Sequence, residues 1–198
     1  SHGRGAKHPR NGAPEIWRSM EDRFARPETE GEVQVEKHPT KGRILVASKD
    51  FVRGEVVMCE KPLFQVSLDT SWLCQIILEM EGSWDCSFRY PALFYLAALR
   101  TLMDETGSHR SLAMQLHRPG NVAGEAVVHE EVQALLAACW KEKRCEELWQ
   151  LAEEFEDVLQ IWIFNSLRYG TALILPLLMA MCSHDCSPNA FWSLDPTA

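Results

Sequence analysis

Two thiols, an imidazole and a carboxylate fall within five residues of the chain, in the stretch MAMCSHDCSPNAFW at positions 179–192. Ser183, His184 and Asp185 are the residue types of a hydrolase triad, but adjacent residues cannot place a hydroxyl, an imidazole and a carboxylate in one hydrogen-bonded line. Cys182, His184 and Cys186 are zinc-ligand types, yet a closed tetrahedral site takes four ligands, usually as two closely spaced pairs. The stretch therefore cannot close a zinc site alone. The remaining interpretation makes both cysteines small core residues that precede a Ser-Pro-Asn turn.

Three segments of the chain occur in the order found in one known family. They are KGRILVASKDF with the following GEVV and EKPL (residues 41–63), FNSL (residues 164–167) and SHDCSPN (residues 183–189). The last resembles the Asn-His-Ser-Cys-x-Pro-Asn signature of SET-domain protein-lysine methyltransferases and keeps its His, its Cys and its closing Pro-Asn. The first resembles the opening SET strands, and the second is similar to the Asn-Ser-Phe element of the SET and MYND-type branch. A MYND zinc module is not visible, because the cysteines at 74 and 86 lack zinc-pair spacing.

The resemblance implies an α+β fold in which small twisted β-sheets are interrupted by a long helical insertion. It also implies S-adenosyl-L-methionine as the cofactor, bound between the opening glycine-containing strand and the terminal motif. Cys186 would be the first of four zinc ligands, and the other three would come from a segment beyond these 198 residues. The cofactor-binding residues expected at the matched positions are Lys41, Gly42, Arg43, Asn165, Ser183 and His184.

Most of these side chains have chemistry that suits the implied role. Gly42 allows close approach of the backbone, while Lys41 and Arg43 can donate charge-assisted hydrogen bonds to the cofactor's carboxylate. By the resemblance, Asn165 would hydrogen-bond the methionine end and His184 would meet the adenine through its backbone. From the residues alone, Lys41 and Arg43 can equally be surface charges beside a turn, and Asn165 can be a helix cap.

Two positions depart from the family's pattern. Ser183 stands where the family has Asn, and Ile44 stands where it has Gly. A lost hydrogen bond to a charged group is worth roughly 1.5–3 kcal/mol, which weakens binding about tenfold to a hundredfold. The family's channel tyrosine follows the Pro-Asn pair, and no Tyr follows Tyr169 here. We therefore assign no catalytic residue and expect the chain, as an N-terminal portion, to have weak or no activity.

The sequence divides into four parts by composition and periodicity. Residues 1–31 are expected to form a flexible tail, because they are rich in Gly and Pro and lack periodicity. Residues 32–68 are expected to form the N-terminal SET strands, in the runs GEVQVEK, RILVAS and EVVMCEK. Residues 69–164 predict the helical insertion, and residues 165–198 would begin a truncated C-terminal SET portion.

Within the insertion, apolar residues recur every three or four positions. Pro91 is expected to open a helix. Residues 126–160 hold nine acids against three bases, which indicates either a solvated helix face or an acidic docking surface for basic substrates. The apolar face predicted for the first helix consists of Trp72, Ile76, Ile77 and Met80.

Charge and cysteine content restrict the partners and the compartment. The formal net charge of -8 argues against sequence-independent duplex binding, which needs a concentrated basic surface, but it suits a basic protein substrate. By the resemblance, that substrate is a lysine-bearing protein such as a histone. The seven cysteines are odd in number and form no Cys-x-x-Cys pair, which favours reduced thiols and hence the cytoplasm or nucleus.

The apolar run at residues 173–182 is the strongest hydrophobic stretch near the terminal motif. It spans about half of the roughly 20 residues that cross a bilayer, and it contains Pro176. A buried core segment is therefore expected here, and no membrane partner.

Two functions from different classes follow from these features. The first is a SET-type lysine methyltransferase, in which Arg43, Asn165 and His184 converge on one nucleoside-sized hollow. The second is a non-enzymatic scaffold that kept the SET fold and lost the cofactor, which Ser183, Ile44 and the acidic helices suggest. An unrelated helical protein–protein module would require the motif matches to be coincidental.

Overall fold

The computed structural model describes residues 32–83, 87–104, 107–117, 128–141, 151–182 and 189–193. The fold is α+β, with two small antiparallel sheets and five α-helices among the described residues. The chain divides into two compact units, one formed by residues 1–61 with 183–198 and the other by Pro62–Cys182. The expected tail at residues 1–31 lies outside the described residues.

The first unit contains a two-stranded hairpin of β1 (Val33–His38) and β2 (Gly42–Ala47). The strands are antiparallel and pair Val33 with Ala47 at the open end. A further backbone hydrogen bond, from the Ser48 N–H to the Glu32 carbonyl at 2.8 Å, extends the ladder by one step. The strands predicted in GEVQVEK and RILVAS are confirmed.

The third predicted strand, EVVMCEK at residues 55–61, is wrong. Residues 55–59 have no regular secondary structure, and Val56 is 60% exposed, so the run presents no buried face to hold it in a sheet. Pro62 follows directly and lacks the N–H that a ladder needs. The next strand is β3 (Phe64–Ser67) instead.

The second unit contains a three-stranded sheet with the order β3-β5-β4. Strands β4 (Leu167–Tyr169) and β5 (Ala172–Leu175) form a hairpin around Gly170, whose φ of 56° lies in the left-handed region that favours glycine. Strand β3 pairs with β5 from the other side. Every residue of the central β5 is buried, so the sheet is anchored in the core through this strand.

Five helices among the described residues lie between β3 and β4 in the sequence. The most buried is α2, which buries eight of its 11 residues and packs on α1, α5 and β3. Pro91 precedes α2, so the predicted helix start is confirmed. The helices are α1 (Trp72–Glu81), α2 (Ala92–Leu102), α3 (Ser108–Ala113), α4 (Glu130–Lys141) and α5 (Ala152–Asn165).

Helix α1 begins at a side-chain cap and buries a face shifted from the predicted one. The Ser71 hydroxyl accepts the Cys74 N–H at 3.4 Å, and Asp69 Oδ1 accepts the Ser71 hydroxyl at 2.6 Å. Of the four residues predicted to share the apolar face, only Ile77 is buried, and the others are half-buried. The fully covered face consists of Leu73, Cys74 and Ile77.

A partly buried ionic cluster joins α4, α5 and the segment before α2. The Arg89 guanidinium donates to Glu131, and its Nη2 also donates to the Glu156 carboxylate at 3.0 and 3.2 Å. Burial raises the pKa of Glu131, but the hydrogen bond and charge of Arg89 outweigh burial and leave the pKa lowered. The Tyr95 hydroxyl donates to Glu131 at 3.1 Å, and the His129 N–H donates to Glu156 at 2.8 Å. Both carboxylates are therefore held by hydrogen bonds from neighbouring elements.

Most of the apolar run at residues 173–182 is a core segment, as predicted, but its last residue, Cys182, is exposed. Its first residues belong to β5, and residues 172–178 are all buried. A 3₁₀-helix (Met179–Met181) follows and ends the second unit. Within the described parts of the chain, no helix combines the length and the apolar character that crossing a bilayer would require.

Candidate functional site

The turn between β1 and β2 carries three of the predicted cofactor-binding residues, Lys41, Gly42 and Arg43. The register sets Gly42 opposite His38, and Gly42 has a φ of 75°, which residues with a β-carbon rarely adopt. A Cβ built on Gly42 would meet no atom within 4 Å. The backbone conformation, and not a lack of space, is therefore what requires glycine, and a ligand can approach the backbone here.

Basic side chains cluster at this end of the hairpin. Lys41 is exposed and Arg43 is half-buried, and burial lowers the pKa of Arg43 from its ordinary value. The register places Lys37 directly opposite Arg43, so both side chains lie on the same face of the hairpin. This basic face favours an anionic ligand such as a carboxylate. Sequence reasoning missed Lys37, although pairing the two strands about the turn would have found it.

The Gly-Glu segment after β2 is fixed by its own charges. The Glu55 carboxylate accepts the Val52 N–H at 3.0 Å and the Lys49 ammonium at 3.0 Å. These two contacts, the Val52 bond first, lower the pKa of Glu55. Lys49 also pairs with Glu32 at 2.6 Å, and Gly54 has a φ of 90°. The segment therefore has a structural role at the exit of β2, and its charges are used within the loop.

In the second unit, Asn165 is the last residue of α5 and is only 6% exposed. Its Nδ2 donates to the His117 carbonyl at 2.6 Å and to the Ile161 carbonyl at 2.7 Å. A side-chain amide nitrogen has two N–H groups, so both are used. No residue in the described ranges donates to the Oδ1 oxygen of Asn165. The amide therefore ties the end of α5 to residue 117 and offers a ligand an acceptor only.

Asn165 lines a cavity of about 180 Å³ between the end of α5 and the 3₁₀-helix. Ser166 and Cys182 add polar groups, and the rest of the wall is apolar. The volume lies below the roughly 300–1,000 Å³ of pockets for drug-sized ligands, so it suits an amino-acid-sized group. The apolar part of the wall is formed by Phe164, Leu167, Pro176, Met179 and Ala180.

A cavity of this volume can hold an amino-acid-sized group, such as the methionine end of S-adenosylmethionine, and is too small for the whole cofactor. The methionine end carries an ammonium, which needs an acceptor, and methylene and sulfur groups, which favour an apolar wall. The unused oxygen of Asn165 supplies that acceptor. The adenosine end would require further residues.

A larger cavity, of about 620 Å³, lies between the end of α1 and residues 87–91. It contains none of the predicted site residues, and residues 84–86 lie outside the described residues. Arg89 lines it, but its guanidinium is paired with Glu131 and Glu156. The larger volume therefore does not by itself identify this cavity as the site. The smaller cavity is the better candidate, because the Asn165 oxygen there accepts no hydrogen bond from the described residues.

The terminal motif could not be placed, since Ser183, His184 and Cys186 lie outside the described residues. Arg43 belongs to the first unit and Asn165 to the second, so their convergence with His184 stays a prediction. Among the residues that the structure describes, no three His, Cys, Asp or Glu side chains form a metal-binding group. The zinc site predicted at Cys186 is likewise still a prediction.

No protein-family model matches the chain, and no curated protein sequence matches it. The functional assignment therefore rests on the residues of this chain and on their geometry.

Proposed function

We propose that this chain contains a SET-type domain that binds S-adenosylmethionine for methyl transfer to a lysine of a basic protein. The observation that carries the proposal is the buried Asn165 of the FNSL segment, whose acceptor oxygen has no donor among the described residues and which lines a small cavity with both polar and apolar groups. An ammonium next to a thioether-like chain is complementary to such a wall. The methionine end of the cofactor has this composition.

The hairpin turn of the first unit independently carries side chains that suit the cofactor's carboxylate. Lys41 and Arg43 are the residues that the resemblance assigns to the cofactor's carboxylate, and Lys37 adds a third cation on the hairpin. Within the described residues, the Lys37 and Lys41 ammonium groups form no hydrogen bond or ion pair. Their charges are therefore available to an anion.

The substrate class follows from charge and from the chemistry of the cofactor. The net charge of -8 favours a basic partner. When bound, the cofactor would supply an electrophilic methyl group to a neutral lysine amine: the C–N bond would form as the C–S bond breaks, the thioether would leave, and the amine's proton would pass to solvent. The residues named here bind and orient, and none of them is assigned as catalytic.

Calorimetric titration of the full chain with S-adenosylmethionine tests the proposal. We expect wild-type binding, and we expect K41Q and R43Q each to weaken it about tenfold to a hundredfold, the range for one hydrogen bond to a charged group. K61Q changes an exposed lysine in the same unit and is the matched control. Melting curves of each variant verify folding.

A cavity-filling variant tests the cavity at Asn165 in the second unit. A180L places a larger side chain in the cavity wall beside Asn165, and we expect it to abolish binding while the chain stays folded. No heat from the wild-type chain at millimolar cofactor would overturn the proposal. Equal affinity of wild type, R43Q and A180L would do the same.

A second candidate function is a scaffold with the fold of a methyltransferase and no cofactor. The observation in its favour is Ile44, a half-buried branched residue on β2 where the resemblance expects glycine. I44A separates the two functions, because it should tighten cofactor binding in a methyltransferase. In a scaffold, I44A and wild type would capture the same amount of a purified basic protein. That amount would not change when cofactor is added. Methyl transfer to lysine would exclude the scaffold.

A further inference from the structure

The turn that carries Lys41 and Gly42 is organised by a side chain outside the matched motif. His38 is the last residue of β1 and is half-buried. Its Nδ1 accepts the backbone N–H of Thr40 at 3.3 Å and that of Lys41 at 3.2 Å. The Thr40 hydroxyl lies 3.2 Å from the same nitrogen. One ring nitrogen is thus the common hydrogen-bond partner of the turn.

These contacts determine the form of the imidazole. A backbone N–H can only donate, so Nδ1 of His38 must keep its lone pair, and a neutral ring then carries its hydrogen on Nε2. The pattern matches that of an Asx turn, in which a side-chain acceptor bonds main-chain N–H groups a few residues further on. An Asn at this position could therefore make the same bonds.

The Lys41 peptide directly precedes Gly42, the residue with positive φ. Without the imidazole, the Lys41 N–H in this exposed turn would bond to water, and the turn would have no side chain to select its conformation. We propose that His38 is a positioning residue, whose neutral, Nε2-protonated ring holds the turn that presents Lys41 and Arg43 to the cofactor's carboxylate. This role rests on the proposed function, because ordered cations assist only if they bind that carboxylate.

The hold of His38 on the turn is tested without any ligand. The ¹⁵N spectrum of the full, histidine-labelled chain should show the Nε2–H tautomer at His38. Amide exchange at Thr40 and Lys41 should be several times faster in H38A than in wild type, and H38N should restore the protection. An Nδ1–H tautomer, or unchanged exchange in H38A, would overturn the inference.

The effect on the site is tested by calorimetry with S-adenosylmethionine. We expect H38A to weaken binding about threefold to tenfold, the change produced by losing one or two neutral hydrogen bonds, and H38N to stay within about twofold of wild type. Unweakened binding by H38A, or weakening that H38N does not rescue, would overturn the positioning role. Absence of wild-type binding, with the tautomer and exchange results as expected, would refute the proposed function and not the hold of His38 on the turn.

Discussion

Replacing Asn165 by Asp tests whether the donor side of this amide is structural. The substitution keeps the shape of the side chain but changes the donor Nδ2 into an acceptor. In the wild-type chain that nitrogen donates to the carbonyls of His117 and Ile161 at 2.6 and 2.7 Å. In N165D, oxygen would face oxygen at both contacts, in a residue that is only 6% exposed.

The cost can be worked from these two bonds. Each neutral hydrogen bond contributes about 0.5–1.5 kcal/mol. The Ile161 carbonyl keeps its partner in the helix ladder, and His117 is an exposed residue, so its carbonyl can bind water. We therefore expect N165D to lose about 2 kcal/mol of the free energy of unfolding from the two lost bonds, a sizeable share of the roughly 5–15 kcal/mol of a typical domain.

The loss should depend on pH, with a definite sign. Burial and the facing carbonyls raise the pKa of the introduced carboxyl above its unfolded value, because both disfavour the charged form. Below the unfolded pKa the carboxyl is protonated in both states and can donate one bond, so the destabilisation is smaller. Above the folded pKa it reaches its full size.

Urea unfolding at pH 4 and pH 8 measures both the size and the sign of the effect. The control is Q75E, which makes the same chemical change at an exposed amide that donates to the Thr70 carbonyl at 3.3 Å. Such surface changes usually stay within about 0.5 kcal/mol. An N165D loss no larger than that of Q75E at pH 8, or an equal loss at both pH values, would refute the structural role of the Asn165 donors.

Two further predictions concern charged groups in the second unit. E156Q keeps the shape of the Glu156 side chain but removes a charge partner of Arg89. We expect urea unfolding to show a loss of about 2 kcal/mol in the free energy of unfolding, which is below the 3–5 kcal/mol of fully buried pairs because Arg89 is 27% exposed. An unchanged free energy of unfolding would contradict a paired cluster. The hydroxyl and N–H of the capping serine, then Arg100, lower the pKa of Asp69 to about 2. Because this folded pKa lies below the unfolded one, the contribution of Asp69 to stability is complete above the unfolded pKa and is lost as pH falls through about 2. The stability of D69N, measured against pH in an acid titration, should lack this loss. The same pH profile in D69N and wild type would contradict the stabilising role of Asp69.

The local elements were largely predictable from the sequence, because their signals are local. The β1–β2 hairpin follows from two β-rich runs around a Pro-Thr-Lys-Gly turn, and α2 follows from Pro91 and an apolar period. The third strand was not predictable in this way. Strand β3 pairs with β5, about a hundred residues later, and a local pattern carries no information on a partner so distant. EVVMCEK is rich in β-formers and still forms no strand.

The same limit applies to the site. The sequence identifies Asn165 as a polar residue near a helix end, with two donors and an acceptor to offer. Its choice of partners depends on the carbonyl of His117, which lies 48 residues earlier and is brought close by tertiary packing. Only the folded structure shows that both Nδ2 donors of Asn165 are used and that its Oδ1 oxygen accepts no hydrogen bond from the described residues. His38 was missed for a similar reason, because its role depends on the path of the turn and not on a motif.

Two features of the chain can distinguish the proposed ligand-binding function from the scaffold. Among the described residues no fully buried side-chain oxygen lacks a hydrogen-bond partner, so the Oδ1 of Asn165, which accepts no hydrogen bond there, is reached by solvent and is open to a ligand. The Lys37 and Lys41 ammonium groups likewise form no ion pair within the described residues. The cavity at Asn165 is complementary to an ammonium, and the turn at Lys41 is complementary to a carboxylate. These are the two charges at the amino-acid end of S-adenosylmethionine. Because A180L tests the first feature and K41Q the second, loss of binding in one variant alone would show which charge the chain recognises.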